Sequence, residues 1–386
     1  MDSTQSNVRR PELDGLRGLA ILLVLIWHYV NFIEVDKGSL GSQALALFRL
    51  SWSGVDLFFV LSGFLIGGIL IDSRCSEKYW VTFYVRRLCR IFPLYFAVLG
   101  IFVLLAKFTP AEFEWLTEGA MPIWSYVSFI QNVLMAEQNS FGANFMGPTW
   151  SLAVEEQFYF ALPLLVRYIS PTRLPWILAV LIVCAPVSRI VAFHWFSTSH
   201  ILACYVLMPC RADALLIGVL CAWAVRHMPV KHTLNDNPYI LYSVLTALLI
   251  GMIFIGYQYE TFFARDVMFF GLTLVAGFYG ALLLAAVNSG KYLVSLLSVS
   301  LLRHLGNIAF GVYLLHLPAA GLAHAVLLNQ KPRIHNLDDV AVSFLALGLT
   351  LLIAKMSWQF FERHFISLGK LYNYQNDIKK LSSLRQ

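Results

Sequence analysis

Four groups of residues in this chain combine types and spacings that chemistry could use. The first lies in RRPELDGLRGLAILLVLIWHY, which carries Asp14, Arg17 and His28. Arg17 and His28 are eleven residues apart, which on a helix puts them on nearly one face, about 16 Å apart along the axis. A fixed cation suits anion binding, and an imidazole suits proton transfer near neutral pH. The plainer account is an orientation arginine and a histidine packed in the core. The second group is Arg86, Arg87 and Arg90 in FYVRRLCRIFPLYF. Guanidinium forks hold phosphate bidentately, although anionic lipid headgroups would attract the same cluster.

The third group is Glu155 and Glu156 in PTWSLAVEEQFYFALPLL. Neighbours on a helix point about 100° apart, so only one of the two can face a given site. That one would serve as a general acid or base, or pair with Arg211 in CRADALLIG, where Asp213 is close by. The fourth is His316 in GVYLLHLP, about eleven residues into its helix and therefore near the depth expected for His28. Pro318 follows and would loosen the backbone beside it. Asp56 opens a further apolar run, GVDLFFVLSGFLIGG, whose small residues allow close helix contact. An acidic residue favoured by the helix dipole is its simpler explanation. Glu362, Arg363 and His364 close the last run, where snorkelling to the interface accounts for them.

The elements that must position these groups are membrane helices. The chain has 386 residues, 59% hydrophobic and only 13% charged, where soluble domains carry about 25% charge. A soluble globule is excluded on that ground. Disorder is excluded by 29 Phe, 17 Tyr and 10 Trp. The formal charge of +6 reads first as a topological signal, and no nucleic-acid partner is expected. The six cysteines form no CxxC pair, so they read as small buried hydrophobes, with neither disulfide framework nor metal. The basic N-terminus precedes an apolar run, but Trp27, His28 and Tyr29 break that run and no A-x-A site follows. A retained first helix is expected there, not a signal peptide.

The fold class expected is all-α, a polytopic transmembrane bundle. Apolar runs predict ten spans at about 15–34, 54–71, 89–107, 149–168, 174–195, 206–226, 239–257, 267–287, 305–328 and 340–362. The stretch 122–136, interrupted by Ser125, Ser128, Gln131 and Asn132, is too short and polar to cross and is expected to be interfacial or re-entrant. Ten spans leave both termini on the cytoplasmic side. Loops on that side would then hold Arg74, Lys78, Arg86, Arg87, Arg90, Arg167, Arg173, Arg226, Lys231, Lys291 and Arg303, beyond Arg9, Arg10 and Arg17. The opposite loops hold fewer cations: Lys37, Arg49, Lys107, Arg265, Lys331 and Arg333. No internal repeat is visible. One membrane domain over 1–366 and a short basic tail over 367–386, with Lys370, Lys379, Lys380 and Arg385, are expected.

In their order, the motifs RRPELDGLRGLAILLVLIWHY, GVDLFFVLSGFLI, FYVRRLCRIFPLYF, TWSLAVEEQFYF, RADALLIGVLCA and LGNIAFGVYLLHLP resemble the bacterial integral-membrane acyltransferase family called type three. The likeness runs from about Arg10 to about Glu362. It implies an O-acyltransferase of the bacterial inner membrane, moving an acetyl or related acyl group from acetyl-CoA to a hydroxyl of an O-antigen, exopolysaccharide or lipid-linked glycan. By position it implies that Arg17 and His28 form the first-helix motif. It also implies that Arg87 and Arg90, with Arg86 beside them, engage the donor, and that Glu155 and His316 take part in catalysis.

The mechanism this suggests has His28 as base on the acceptor hydroxyl, Glu155 orienting it or handling a second proton, and Arg211 or His316 stabilising the oxyanion, with Asp56 and Asp14 nearby and transfer through a transient acyl-histidine as a variant. Many peptidoglycan-modifying members add an extracytoplasmic hydrolase-like domain. Since the sequence stops about twenty residues past the last span, a lipid-linked or exported saccharide is expected in place of peptidoglycan, with or without a separate extracytoplasmic partner. Membrane lipid is the other expected partner. A secondary transporter or flippase for a glycan precursor is the rival from another class. Neither HExxH nor GxSxG occurs to suggest a hydrolase.

Overall fold

A chain this apolar has only its own backbone to satisfy its N–H and C=O groups in hydrocarbon, and the helix does so within one segment. The computed structural model describes residues 10–30, 32–33, 45, 48–108, 110–196, 201–228, 238–259, 261–288 and 291–374. Among them nothing forms a strand, and a single parallel bridge joins Ile33 to Ile334. The helices that frame the site are α1 (Pro11–Val30), α2 (Gly54–Asp72) and α3 (Tyr79–Phe108). The short pair α4 (Ile123–Val127) and α5 (Gln131–Gln138) precedes α6 (Trp150–Tyr168). Then come α7 (Leu174–Trp195), α8 (Ile201–Val206), α9 (Met208–His227), α10 (Pro238–Gln258) and α11 (Leu272–Asn288). The series ends with α12 (Lys291–Leu297), α13 (Ser300–Leu328), α14 (Leu337–Ser357) and α15 (Arg363–Lys370).

Among the described residues nine helical stretches are long and apolar enough to cross a membrane. The tenth expected span, α6, has 19 residues but carries Glu155, Glu156 and Arg167, which leaves its window too charged to rank with the others. Packing nevertheless gives α6 the direction of a span. Its start, Trp150, meets Tyr205 with ring centroids 4.6 Å apart, while Pro163 near its end accepts a bond from Tyr79 at the start of α3. The expected re-entrant stretch is two short helices broken at Phe129, which has φ 55°. Phe129 stacks on Tyr95 at 4.5 Å and Tyr126 meets Phe102 at 6.3 Å, so the segment lies beside the second half of α3.

Helix α13 runs parallel to α1. Asp14 faces Gly306 near the start of both, His28 in the last turn of α1 faces His316 midway along α13, and Phe32 approaches His324 beyond. A parallel first and ninth span requires an even number of steps between them, as ten crossings without 122–136 provide. Glycines make the approach close. A Cβ on Gly18 would stand 1.9 Å from the Leu302 carbonyl oxygen, and one on Gly306 the same distance from that of Asp14.

Two boundaries that bear on charged residues, and the burial of the cysteines, differ from the sequence reading. Helix α3 begins ten residues before 89, at Tyr79, so Arg86, Arg87 and Arg90 lie on a helix and not in a loop. The last helical path runs from Leu337 through a π turn at Trp358–Glu362 to Lys370. Glu362 consequently does not snorkel at a helix end: it is buried, and the Ser357 hydroxyl donates to it at 3.1 Å. Arg363 and His364 are exposed. The cysteines divide, with Cys204, Cys210 and Cys221 buried but Cys75 and Cys184 exposed, against the expectation of a buried set. Residues 31 and 34, Arg9, Lys37, Lys231, Lys379, Lys380 and Arg385 lie outside the described residues.

Helices α2 and α9 also touch backbone to backbone, since a Cβ on Gly218 would come 2.1 Å from the Val60 oxygen. Gly218→Ala should therefore lower stability by about 1–3 kcal/mol through overpacking. Thermal unfolding in detergent measures this, and an unchanged midpoint would contradict the contact.

Candidate active site

Two cavities lie along α1. The first, of about 250 Å³, is lined by Arg17, Arg87, Arg90, Glu155 and Tyr159 together with apolar residues of α2 and α13. Arg87 and Arg90 are three residues apart on α3 and share a face. Arg17 and Arg87 both lie close enough to Arg90 to repel it, with Glu362 as a nearby opposite charge. Like charges crowded in this way favour a polyanion between them. Arg17 also pairs with Asp14 at 3.5 Å. Arg86 turns elsewhere: its Nε donates to the Tyr372 carbonyl at 2.7 Å and its guanidinium lies 5.3 Å from the Tyr374 ring. The sequence grouped it with Arg87 and Arg90, but a single helical step sends it toward the C-terminal segment.

Of the two glutamates, Glu155 lines this cavity. The Tyr159 hydroxyl donates to it at 3.1 Å, and Ser62 bonds Tyr159 in turn. The Arg87 guanidinium lies 5.8 Å from the Tyr159 ring centroid. Glu155 is thus tied to the arginine cavity and, of its two expected roles, does not fill that of orienting His28, whose Nδ1 faces the Val24 carbonyl. Nor does it pair with Arg211.

The second cavity, of about 340 Å³, is lined by His28, Trp27, Trp52, Trp150, Tyr205 and Tyr313, among others. Tyr313 also lines the first cavity and is the wall between them. Its hydroxyl donates to the Pro148 carbonyl at 2.9 Å and bonds the Ser151 hydroxyl at 2.6 Å, which fixes α13 to α6 at this level.

His28 and His316 meet here with ring centroids 4.7 Å apart. The Nδ1 of His28 is 2.8 Å from the Val24 carbonyl, and that of His316 is 2.7 Å from the Tyr313 carbonyl. A carbonyl only accepts, so in both rings Nδ1 carries the hydrogen and Nε2 keeps its lone pair. Each histidine is therefore held in the tautomer of a base. The Nε2 of His316 is buried without a hydrogen-bond partner among the described residues.

Behind the second cavity lie two ion pairs. Arg211 donates to Asp56 at 2.7 Å and is enclosed by the rings of Phe59, Trp150 and Tyr205 at 5.5, 5.9 and 5.0 Å. Its Nε and Nη1 are buried without a hydrogen-bond partner among the described residues. Arg189 bonds Asp213, the Cys210 carbonyl at 2.7 Å and Thr273 at 2.9 Å. Sequence reasoning passed over Arg189, though a lone arginine inside the apolar run 174–195 was the signal for it. Ser62, Tyr159 and Tyr313 carried no such signal. No group of three or more His, Cys, Asp or Glu side chains that could hold a metal occurs among the described residues.

This geometry coincides with a family likeness. Residues 10–355 match the family described as acyltransferase domain, and the chain belongs to that integral-membrane acyltransferase family. Among curated relatives, it is 29% identical to YrhL of Bacillus subtilis strain 168 over 95% of this chain and 56% of that protein. It is 27% identical to peptidoglycan O-acetyltransferase OatA of Listeria monocytogenes over 91% of this chain and 55% of the relative. With O-acetyltransferase OatA of Staphylococcus aureus strain NCTC 8325 it shares 25% over 91% and 56% respectively. The chain thus spans about half the length of these relatives. No solved structure matches it.

Removing one partner of a buried pair strands the other charge, at a cost of about 3–5 kcal/mol, whereas replacing both by apolar residues is often close to neutral. Asp56→Leu alone should thus lower the unfolding midpoint in detergent more than the double variant Asp56→Leu/Arg211→Met. A double variant as unstable as the single one would refute the pairing.

Proposed function

We propose that the chain is an O-acetyltransferase of a bacterial inner membrane, taking an acetyl group from cytoplasmic acetyl-CoA and passing it to a saccharide hydroxyl. The observation that carries this is the common wall at Tyr313, which sets an anion-binding cavity against one holding two basic imidazoles. The excess of Lys and Arg in the loops at the Arg17 end supports a cytoplasmic placement of that end and of both termini. Acetyl-CoA would rest its phosphates on Arg17, Arg87 and Arg90, and its pantetheine arm would carry the thioester past Tyr313 toward His28. The acceptor enters from the opposite end of the bundle.

The step balances with this chain's own groups. Nε2 of His28 takes the hydroxyl proton as the acceptor oxygen attacks the thioester carbonyl carbon. The C–S bond then breaks, and the departing CoA thiolate takes the proton back from the imidazolium. His316, 4.7 Å away ring to ring, is a second acceptor for that proton. Arg211 stands behind Trp150 and Tyr205, held by Asp56, and acts on the shape of the cavity rather than on the oxyanion. Glu155 sets the charge of the donor cavity. The acceptor class is a saccharide hydroxyl. The name of the Listeria relative brings peptidoglycan into that class, and the argument from length against it lapses for a chain that spans about half of its relatives.

Substitutions at two positions test this in membranes carrying the chain. His28→Ala should cut CoA release from acetyl-CoA in the presence of acceptor by about 100-fold or more, the size expected for loss of a general base, while the protein still inserts. Near-normal release would remove His28 from the reaction. Arg87→Ala should raise the KM for acetyl-CoA about tenfold, in line with a lost charge-assisted phosphate contact. Arg87→Lys should recover part of this, and an unchanged KM in the alanine variant would remove the phosphate role.

A further inference from the structure

Helix α3 has 30 residues, about ten more than a bilayer requires, and the surplus turns at its start carry Arg87 toward the donor cavity. Two partners hold these turns. The first is α6: the Tyr79 hydroxyl donates to the Pro163 carbonyl at 3.0 Å and the Tyr84 hydroxyl to that of Phe160 at 3.3 Å. The second is the segment that follows α15, past residue 355 where the family match ends.

Residues 372–374 run along the start of α3 in the opposite direction, and their three consecutive carbonyls each accept a bond from it or from the turn before it. Arg86 Nε donates to the carbonyl of Tyr372 at 2.7 Å, the Thr82 hydroxyl to that of Asn373 at 3.2 Å, and the Ser76 hydroxyl to that of Tyr374 at 2.8 Å. Thr82 is buried by this contact and its own helix neighbours. Just upstream, Gly369 presses on the same helix: a Cβ there would stand 3.1 Å from the Cβ of Cys89 and 3.4 Å from the Cα of Arg86. Positions 82, 86 and 89 form one face of α3, so the segment covers that face over two turns. Burial pushes the Tyr374 phenol up and the Arg86 and Arg87 charges pull it back, so both guanidiniums lie close to its ring end. A grip at three successive carbonyls fixes the height and the rotation of the helix together. Arg87 points about 100° away from Arg86, so clamping Arg86 sets the direction of Arg87.

We propose that residues 369–374 are a positioning strap for the donor site, holding Ser76, Thr82 and Arg86 so that Arg87 and Arg90 face the cavity before the donor arrives. The inference rests on the acyl-transfer reading for the identity of that donor. Its physical basis is preorganisation, since a guanidinium already in place does not have to be ordered when phosphate binds. The strap touches no reacting atom, and no bond is made or broken at it.

Calorimetry of acetyl-CoA binding to the full chain in detergent tests this with variants that remove no charge. Thr82→Val/Ser76→Ala takes two donors from the strap, and Gly369→Val pushes the strap off α3. Each should weaken acetyl-CoA binding about fivefold, the scale of one long side chain left to be ordered on binding. Cys89 lies under Gly369, its Sγ 3.6 Å from where a Cβ would stand. Thr82→Val/Ser76→Ala should therefore also raise the rate of Cys89 labelling by N-ethylmaleimide about threefold, read by peptide mass spectrometry. In an Arg87→Ala background the same pair should weaken binding by about twofold at most, because much of the strap's effect passes through that side chain. Unchanged acetyl-CoA affinity in both strap variants overturns the positioning role, as does a loss of undiminished size on top of Arg87→Ala. Unchanged Cys89 labelling overturns the strap itself. A parent chain that binds no acetyl-CoA removes the donor reading and the inference together, whereas a parent that binds it no more tightly than both variants removes the inference alone.

Discussion

The parallel contact between α1 and α13 holds the other features of the site in place. Glycines at 18 and 306 let the two backbones approach until a single Cβ would collide with a facing carbonyl. In lipid, where apolar side chains gain little by leaving the solvent, such close packing is what drives helices together. The contact fixes the relative height of the two helices, and that height brings His28 level with His316. It also presents Arg17 to the cavity formed with α3 and α6, and it carries Phe32 up to the turn after α13. One packing decision near the start of α1 thereby sets the arginine cavity and the His28 cavity on either side of Tyr313.

A second constraint is electrostatic. A buried guanidinium in hydrocarbon needs a carboxylate, and the bundle supplies one to each from a different helix. Arg189 of α7 reaches Asp213 of α9 and Thr273 of α11, while Arg211 of α9 reaches Asp56 of α2. These pairs bind α2, α7, α9 and α11 into one block. The rings that enclose Arg211, Trp150 and Tyr205, form part of the wall of the His28 cavity. Charge that looks catalytic in the sequence is here partly spent on holding the wall of the His28 cavity.

Much of the fold was legible in the residues because lipid imposes simple rules. Length and apolarity mark the spans, and Ser125, Ser128, Gln131 and Asn132 mark a segment that does not cross. The depth match of His28 and His316 followed from helical rise alone, and the rings do meet. Other readings depended on facts the pattern does not carry. The start of α3 at Tyr79 was hidden because its first turns are amphipathic and sit among basic residues. Arg86 could not be separated from Arg87 without the C-terminal segment that captures it. Glu362 was read as a surface charge because the helix was expected to stop, whereas it continues and buries that side chain.

The sequence by itself determined the class of molecule, a helical membrane bundle with a few ionisable residues at depth, because transfer into lipid penalises each charge residue by residue and leaves a one-dimensional trace. It also determined which residues were candidates for chemistry. The tertiary structure decided their company: Glu155 with the arginines and not with His28, Arg211 with Asp56 and not with Glu155, and Tyr313 between two cavities. Such pairings span 155 residues for Asp56 and Arg211 and 162 for Ser151 and Tyr313. They are set by helix rotation and register, which arise from packing against distant helices and leave no local mark in the chain.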